Sequence, residues 1–164
     1  MIDAENALIY RVDIMAIKRH ISLQEYSRDH HQALLLCWKI KVGLQKSISI
    51  DRIKTYTDWF YKNHILEHFE MEEKHMFPVL SSDHELIIRV LEEHKTLLEL
   101  FTNTDDVEDS LKRLHVALKD HIRFEERILF NEIQDVATKV QLEIIEKYHS
   151  KEQFEDNLND VFWK

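Results

Sequence analysis

The chain reads HFEMEEKHMF from residue 68 to residue 77 and HIRFEERILF from residue 121 to residue 130. Both segments place a histidine first, two glutamates at the fifth and sixth positions, a basic residue at the seventh and a phenylalanine at the tenth. Each residue of an α-helix turns by about 100°, so the histidine and the glutamate at the fifth position of each segment lie on one face. The repeat therefore predicts two helices that each present an imidazole and a carboxylate in one direction, an arrangement that can hold a metal pair inside a helical bundle.

Length and composition favour a single all-α domain over residues 1–164. One glycine and one proline are very few for a chain of 164 residues. An all-β fold needs many turns, and turns depend mainly on these residue types. The chain is also long enough to bury a hydrophobic core.

Charge and cysteine content disfavour several classes of partner. The net charge of −9 disfavours nucleic acid and anionic membranes. No apolar run approaches a membrane span, and the first residues lack the pattern of a signal peptide. The single cysteine, Cys37, cannot form an internal disulfide, so we expect a reducing compartment and a cytoplasmic protein. The oligomeric state is not indicated.

Apolar periodicity predicts four long amphipathic helices joined by short links. We expect the first to begin at Ser27 as its N-cap and to end near Gly43. Pro78 ends the second, and a capping box of Ser82 and Glu85 begins the third. Such helices with short links favour an up-down-up-down four-helix bundle.

The core of this bundle is assigned to about residues 23–135. Residues 1–22 are interpreted as an N-terminal extension. Residues 136–164 are expected to form a short C-terminal helix and a tail, with the aromatic side chains of Phe162 and Trp163 packed against the bundle. No linker indicates a second domain.

Each predicted helix carries an acidic residue followed by histidine: Asp29-His30, Glu67-His68, Glu93-His94 and Asp120-His121. These histidines lie on apolar stripes, and so do two glutamates. A buried carboxylate without a partner costs several kcal/mol. A metal ion removes that cost, because it neutralises the carboxylates and accepts the imidazole lone pairs. Imidazole and carboxylate without thiolate suit iron, manganese or zinc.

The residues that this pattern favours as metal ligands are His30, His68, Glu72, His94, His121 and Glu125. His30 and His31 compete for one position, and the alignment of the acid–histidine pairs favours His30. With two bridging carboxylates and one bridging oxide or hydroxide, about one or two positions stay open on a pair of six-coordinate ions. The simpler alternative, solvated ion pairs on helix surfaces, is disfavoured by the duplication in register.

Other polar residues are expected to have lesser roles. His64 lies one turn before His68 and is expected to support the site, with an additional metal ligand as the less favoured alternative. His75 is expected to pack or to support the site. Glu73 and Glu126 should point about 100° away from the stripe, towards solvent or the adjacent basic residue. The histidines expected at the surface are His20, His84, His115 and His149.

These segments together resemble the hemerythrin-like (HHE) cation-binding domain family. The resemblance covers about residues 17–135, and the motifs that carry it are Ser27-Arg28-Asp29-His30-His31, His68-Phe69-Glu70-Met71-Glu72-Glu73 with Phe77-Pro78, Glu93-His94, and His121-Ile122-Arg123-Phe124-Glu125-Glu126 with Leu129-Phe130. It implies a four-helix bundle with a non-haem di-iron centre. The four histidines would then be terminal ligands, and Glu72 and Glu125 would be bridging carboxylates.

One position departs from the oxygen-carrying members of the family. These have two histidines one turn apart on the third helix, whereas Val90 lies one turn before His94 and cannot bind metal. The pattern is closer to members with four histidines and two glutamates, which resemble iron-centre repair proteins and iron- or oxygen-responsive domains. Reversible oxygen carriage is therefore disfavoured. Repair is disfavoured as well, because this sequence lacks the additional cysteine-containing domain of repair-type members.

The sequence thus favours a cytoplasmic protein with two iron ions that binds or reacts with dioxygen, peroxide or nitric oxide, in sensing, scavenging or iron handling. Manganese and zinc are alternative metals. No catalytic residue is assigned, and a metal-binding protein is favoured over a dedicated enzyme.

Two alternatives stay open. A ferritin-like di-metal carboxylate oxidase would use the Glu-x-x-His spacing of Glu72–His75 and Glu146–His149. A bundle without bound metal would act as an interaction module.

Overall fold

The computed structural model describes residues 18–164, so most of the predicted extension, residues 1–22, lies outside the described residues. All regular structure within residues 18–164 is helical, which confirms the prediction of an all-α protein. The α-helices are α1 (Gln24–Gln45), α2 (Ile50–Phe60), α3 (Leu66–Met71), α4 (Glu85–Thr102), α5 (Val107–Phe124), α6 (Phe130–Val136) and α7 (Lys139–Tyr148). None of these helices has both the length and the apolar character that crossing a membrane requires.

Turns of π-helix extend these helices at Tyr61–Ile65, Glu72–Met76 and Glu125–Leu129. The backbone N–H of Phe77 donates to the carbonyl of Glu72, and that of Phe130 donates to the carbonyl of Glu125. Both hydrogen bonds therefore span one residue more than an α-helical bond does. The two copies of the repeated motif change from α to π geometry at Glu72 and at Glu125, and such turns are frequent at functional sites.

The predicted start of the first helix is wrong, and the helix ends at Gln45, close to the predicted end at Gly43. A 3₁₀ turn at Ile21–Leu23 leads directly into α1, so Ser27 lies inside the helix and is buried. The helix also continues past Gly43. A Cβ atom at Gly43 would lie 2.8 Å from the ring of Phe162. Glycine is therefore required for the close approach of the C-terminal segment, and it does not stop the helix.

The predicted capping box of the third helix is also wrong. The N-cap of α4 is His84, and its Nδ1 atom accepts a hydrogen bond from the backbone N–H of Leu86 at 3.2 Å. An imidazole nitrogen here takes the place of the serine oxygen that usually caps a helix. The preference for serine and threonine at N-caps led to the choice of Ser82.

The core has two apolar layers with polar residues between them. One layer includes Leu36, Ile40, Phe60, Phe101 and Leu114, and the other includes Tyr26, Met76, Val90, Phe124 and Phe130. Along each long helical segment, the histidine of the acid–histidine pair lies where the chain passes from one layer to the other. Apolar side chains therefore enclose the polar cluster from both directions along the helices.

The C-terminal segment packs back onto the helices. Phe162 and Trp163 are buried, which confirms the predicted packing of the tail aromatics. Lys39 is buried as well, and its Nζ atom donates to Asp156 and to the hydroxyl of Tyr56, both at 2.6 Å. The same ammonium lies 3.9 Å from the ring centroid of Trp163. A buried ion pair therefore holds residues 149–164 in place.

Replacing Asp156 by asparagine is expected to destabilise the protein by about 2 kcal/mol. Removing one partner of a fully buried ion pair costs about 3–5 kcal/mol, and the side chain of Asp156 is 27% exposed, which reduces the cost. The melting temperature should fall by about 4–8 °C, as measured by circular dichroism. Asp160→Asn is the matched control, because its ion pair with Arg52 is exposed. An equal loss in both variants would contradict the role of Lys39.

Candidate metal centre

The residues singled out as metal ligands come together in the interior. Glu72 and Glu125 have no exposed surface, and none of the four histidines is more than 6% exposed. Their donor atoms form two groups, within each of which all atoms lie within 4.8 Å of one another. The first group is His30, His68, Glu72 and Glu125, and the second is His94, His121 and Glu125.

Each central carboxylate faces both groups. The Oε1 atom of Glu72 lies 2.9 Å from His68 Nε2, and its Oε2 atom lies 3.4 Å from His94 Nε2. Glu125 has Oε2 at 3.0 Å from His30 Nε2 and Oε1 at 3.6 Å from His94 Nε2. The Oε2 atom of Glu125 also lies 3.3 Å from His121 Nε2. Each carboxylate thus approaches histidines of both groups, which is the geometry that a bridging ligand needs.

Several donor atoms at the centre are buried and make no hydrogen bond, because their short approaches lack hydrogen-bond geometry. Within residues 18–164 they include both side-chain oxygens of Glu72 and of Glu125 and the Nε2 atoms of His94 and His121. The Nε2 atoms of His30 and His68 face each other at 3.1 Å. Leaving buried polar atoms unpaired costs several kcal/mol in total. Converging nitrogen and oxygen donors of this kind fit a metal cation.

On its outer side, each imidazole is held by a carboxylate from another helical segment. The Nδ1 contacts are His30 with Glu126 at 2.6 Å, His68 with Asp29 at 3.0 Å, His94 with Glu73 at 2.7 Å and His121 with Glu93 at 2.8 Å. Each segment supplies one imidazole and one of these carboxylates, so the contacts form a closed ring around the centre. In the neutral form of each imidazole, these partners place the proton on Nδ1 and leave the Nε2 lone pair directed inwards.

The prediction for Glu126 is wrong, and that for Glu73 is correct only in its exposure to solvent. Glu126 is only 3% exposed, and Glu73, although partly exposed, bonds to His94. A side chain about 100° away from an inward-facing residue can point to the neighbouring helix as well as to solvent, and both glutamates also lie in π-helical turns. A long glutamate side chain in such a turn reaches the neighbouring helix.

Sequence reasoning also missed the roles of Asp29 and Glu93. Each of them precedes a candidate ligand in the chain but bonds to the imidazole of a different segment. Adjacent residues of a helix point in directions about 100° apart, so an acid beside an inward-facing histidine points to the neighbouring helix. The acid–histidine pattern was therefore a usable signal in these two cases. The corresponding acids Glu67 and Asp120 are exposed.

The prediction that His149 lies at the surface is wrong. His149 is 6% exposed, its Nε2 atom lies 2.8 Å from Asp29, and its ring packs edge-on against Tyr26. Elsewhere in the closed ring of histidine–carboxylate contacts, the guanidinium of Arg19 donates to the carboxylate of Glu126 at 2.9 Å. Residues outside the motifs therefore orient two of the carboxylates that hold the imidazoles.

The electrostatics of the cluster favour positive charge at its centre. Burial lowers the pKa of His68, but the charge of Glu72 and the hydrogen bond to Asp29 outweigh it and raise this pKa to about 9. Burial and the charge of Glu125 raise the pKa of Glu72, but His68 and His30 hold it well below its usual value. Two carboxylates kept ionised in an apolar interior attract a cation.

The remaining candidate histidines lie outside both donor groups. His31, the alternative to His30, is half-buried and belongs to neither group. His75 packs as predicted, with its ring stacked on Tyr148 at 4.1 Å. His64 lines a cavity that also touches His30 and His68.

The fold and the cluster are those of a helical cation-binding domain. The family model "Hemerythrin HHE cation binding domain" matches residues 22–133. This chain belongs to that family, as its sequence motifs indicated. Neither the search of curated proteins nor the search of solved structures found a match.

Proposed function

We propose that this chain is a non-haem di-iron protein in which each donor group holds one ion. The terminal ligands are His30, His68, His94 and His121, and the bridging carboxylates are Glu72 and Glu125. One observation carries the proposal: the carboxylate oxygens of Glu72 and Glu125 and the Nε2 atoms of His94 and His121 converge without hydrogen bonds. In all four candidate histidines, by contrast, the Nδ1 atom already bonds to a carboxylate. Iron is the metal proposed, and manganese or zinc would suit the same donors.

The small ligand is proposed to be dioxygen, peroxide or nitric oxide. A bound iron pair supplies open coordination positions and one-electron chemistry for such molecules. The residues of this chain hold the ions, orient the imidazoles and keep bulk water out. We place the protein in the cytoplasm, in sensing, scavenging or iron handling, as a metal-binding protein rather than a dedicated enzyme. Neither nucleic acid nor a membrane is a proposed partner.

We also propose the up-down-up-down order of a four-helix bundle. The two apolar layers support it, because α1 runs from the layer of Tyr26 to that of Ile40, whereas the next segment runs back from Phe60 to Met76. The two later segments alternate between the layers in the same way. Such alternation is expected when consecutive helices are antiparallel.

The ferritin-like alternative has less support. Its Glu-x-x-His spacing would use His75 and His149 as ligands, but the first stacks on Tyr148 and the second bonds to Asp29. The metal-free interaction module leaves the buried unpaired atoms unexplained, since a core without bound metal gains nothing from them. The interaction module predicts a protein without bound metal. The ferritin-like alternative predicts that metal is lost when His75, rather than His68, is replaced.

The test of the proposal is metal analysis of the purified protein combined with a visible spectrum. We expect about two iron ions per chain, as the two donor groups predict. Ferrous protein prepared without oxygen should gain near-ultraviolet absorption when it meets air. Zinc would be identified by the same analysis and by the absence of colour. Absence of bound metal, with a melting temperature that does not change after chelation, would refute the di-iron proposal and favour the interaction module.

A further inference from the structure

A cavity of about 80 Å³ adjoins the candidate metal centre. Its walls include the candidate ligands His30, His68 and His121, and exposed residues such as Asn63 at its outer end. The C-terminal segment covers it with Ser150, Glu152, Gln153 and Phe154. Cavities that bind drug-sized molecules measure about 300–1,000 Å³, so this one suits a molecule of a few heavy atoms.

His64 is a polar residue of this cavity whose hydrogen-bonding capacity is unused. Its Nε2 atom is buried and makes no hydrogen bond within the described part of the chain. The ring is fixed by aromatic neighbours, with centroids 5.1 Å from Trp59, 5.0 Å from Phe60 and 4.8 Å from Phe154. Burial lowers the pKa of His64 despite the nearby carboxylates, which favours the neutral form of the ring. A neutral imidazole can donate or accept one hydrogen bond.

The charges along the cavity disfavour an anionic occupant. Asp29, Glu67 and Glu152 line it, and lysine and arginine are absent from the residues described around it. An acidic entrance lowers the local concentration of anions. The unpaired imidazole nitrogen of His64 favours a small molecule that can form a hydrogen bond, and such a molecule should not be an anion.

We propose that this cavity binds hydrogen peroxide, or a hydroperoxide of similar size, and that His64 forms a hydrogen bond to it beside the metal centre. The inference rests on the proposed function, because the peroxide would reach the metals through this cavity. Hydrogen peroxide is neutral, has two heavy atoms, and both donates and accepts hydrogen bonds. Dioxygen fits the same space but gains little from an imidazole.

The experiment compares His64→Phe with His64→Gln in iron(II)-loaded protein. Phenylalanine keeps the aromatic packing and removes the hydrogen bond, whereas glutamine keeps a hydrogen-bonding group. Hydrogen peroxide oxidises two iron(II) ions by accepting one electron from each and becoming two hydroxide ions, and stopped-flow absorbance gives the rate. We expect His64→Phe to slow this reaction by about three- to tenfold, the equivalent of one hydrogen bond. The reaction with dioxygen should change less than about twofold in the same variant.

A second readout uses the metal-free protein. Because His64→Phe removes a buried unpaired nitrogen, the melting temperature of this variant should be at least that of the wild type, and at most about 2–4 °C higher. His115→Phe, a half-buried histidine of α5 outside the cavity, is the control and should leave the peroxide rate unchanged.

Three results would overturn the inference. One is a peroxide rate in His64→Phe that stays within about twofold of the wild-type rate, because the loss of one hydrogen bond should slow the reaction by more than that. Another is an equal loss for peroxide and dioxygen, and the third is a lower melting temperature of the metal-free variant, which would make His64 a packing residue. Wild-type protein that binds no metal would remove both proposals, whereas metal-loaded variants with unchanged rates would remove this inference alone.

Discussion

Glu125→Ala is expected to lose both metal ions. Glu125 belongs to both donor groups, and its two oxygens lie near histidines of different groups. Without it, each group loses an anionic ligand and the bridge between the ions. Metal content should fall from about two ions per chain to about 0.2 or fewer. The variant should also lose the stabilisation that bound metal gives. At a free metal concentration about a thousand times Kd, this stabilisation is about 4 kcal/mol, which corresponds to about 8–16 °C in melting temperature.

The adjacent Glu126 provides the matched control. It holds the Nδ1 atom of His30 but contributes no atom to either donor group. Removing a carboxylate that orients a metal-binding imidazole typically costs about 10–100-fold in affinity. Glu126→Gln should therefore still reach about two ions per chain at saturating metal. Circular dichroism checks that both variants remain helical. A Glu125→Ala protein that keeps the metal content of the wild type would remove this residue from the ligand set.

His68→Ala is expected to lower the metal content to about one ion per chain or less. The Nε2 atom of His68 faces Glu72 at 2.9 Å in the first donor group, and alanine offers no donor there. His75→Ala, one helical turn after Glu72, should keep about two ions, because His75 packs against Tyr148 outside both groups. Metal analysis of the two proteins after identical iron loading measures the difference.

This pair of variants also separates the two di-metal hypotheses. The ferritin-like alternative makes His75 a ligand and His68 dispensable, so it expects the reverse result. Loss of metal only in His75→Ala would therefore replace the hemerythrin-like ligand set by the Glu-x-x-His set. Equal metal content in the wild type and in both variants would show that neither set describes the site.

Local patterns were sufficient for the helices and for the inward direction of the candidate ligands. His68 and Glu72 lie four residues apart, and so do His121 and Glu125, and this spacing places each pair on one face. Their burial follows from the same 3.6-residue period that buries the apolar residues around them. The helix ends were predicted less well. Ser27 and Gly43 both lie inside α1, because close packing rather than a cap decides their positions.

The ring of carboxylates depends on the packing of one segment against another. Glu126 bonds to His30, and Glu73 bonds to His94, so each of these contacts joins two different helical segments. Both glutamates also lie in π-helical turns, which the α-helical period does not describe. No local pattern around His149 indicates its contact with Asp29.

By itself, the sequence determined that this protein is helical and that four histidines and two glutamates face its interior. Both features follow from backbone hydrogen bonds within single helices, which set a period that residue spacing reveals. The tertiary structure alone decided which carboxylate holds each imidazole, how the C-terminal segment covers the cavity, and that His64 lines it. These contacts join segments distant in the chain, and their geometry depends on how the helices pack, which no local spacing specifies.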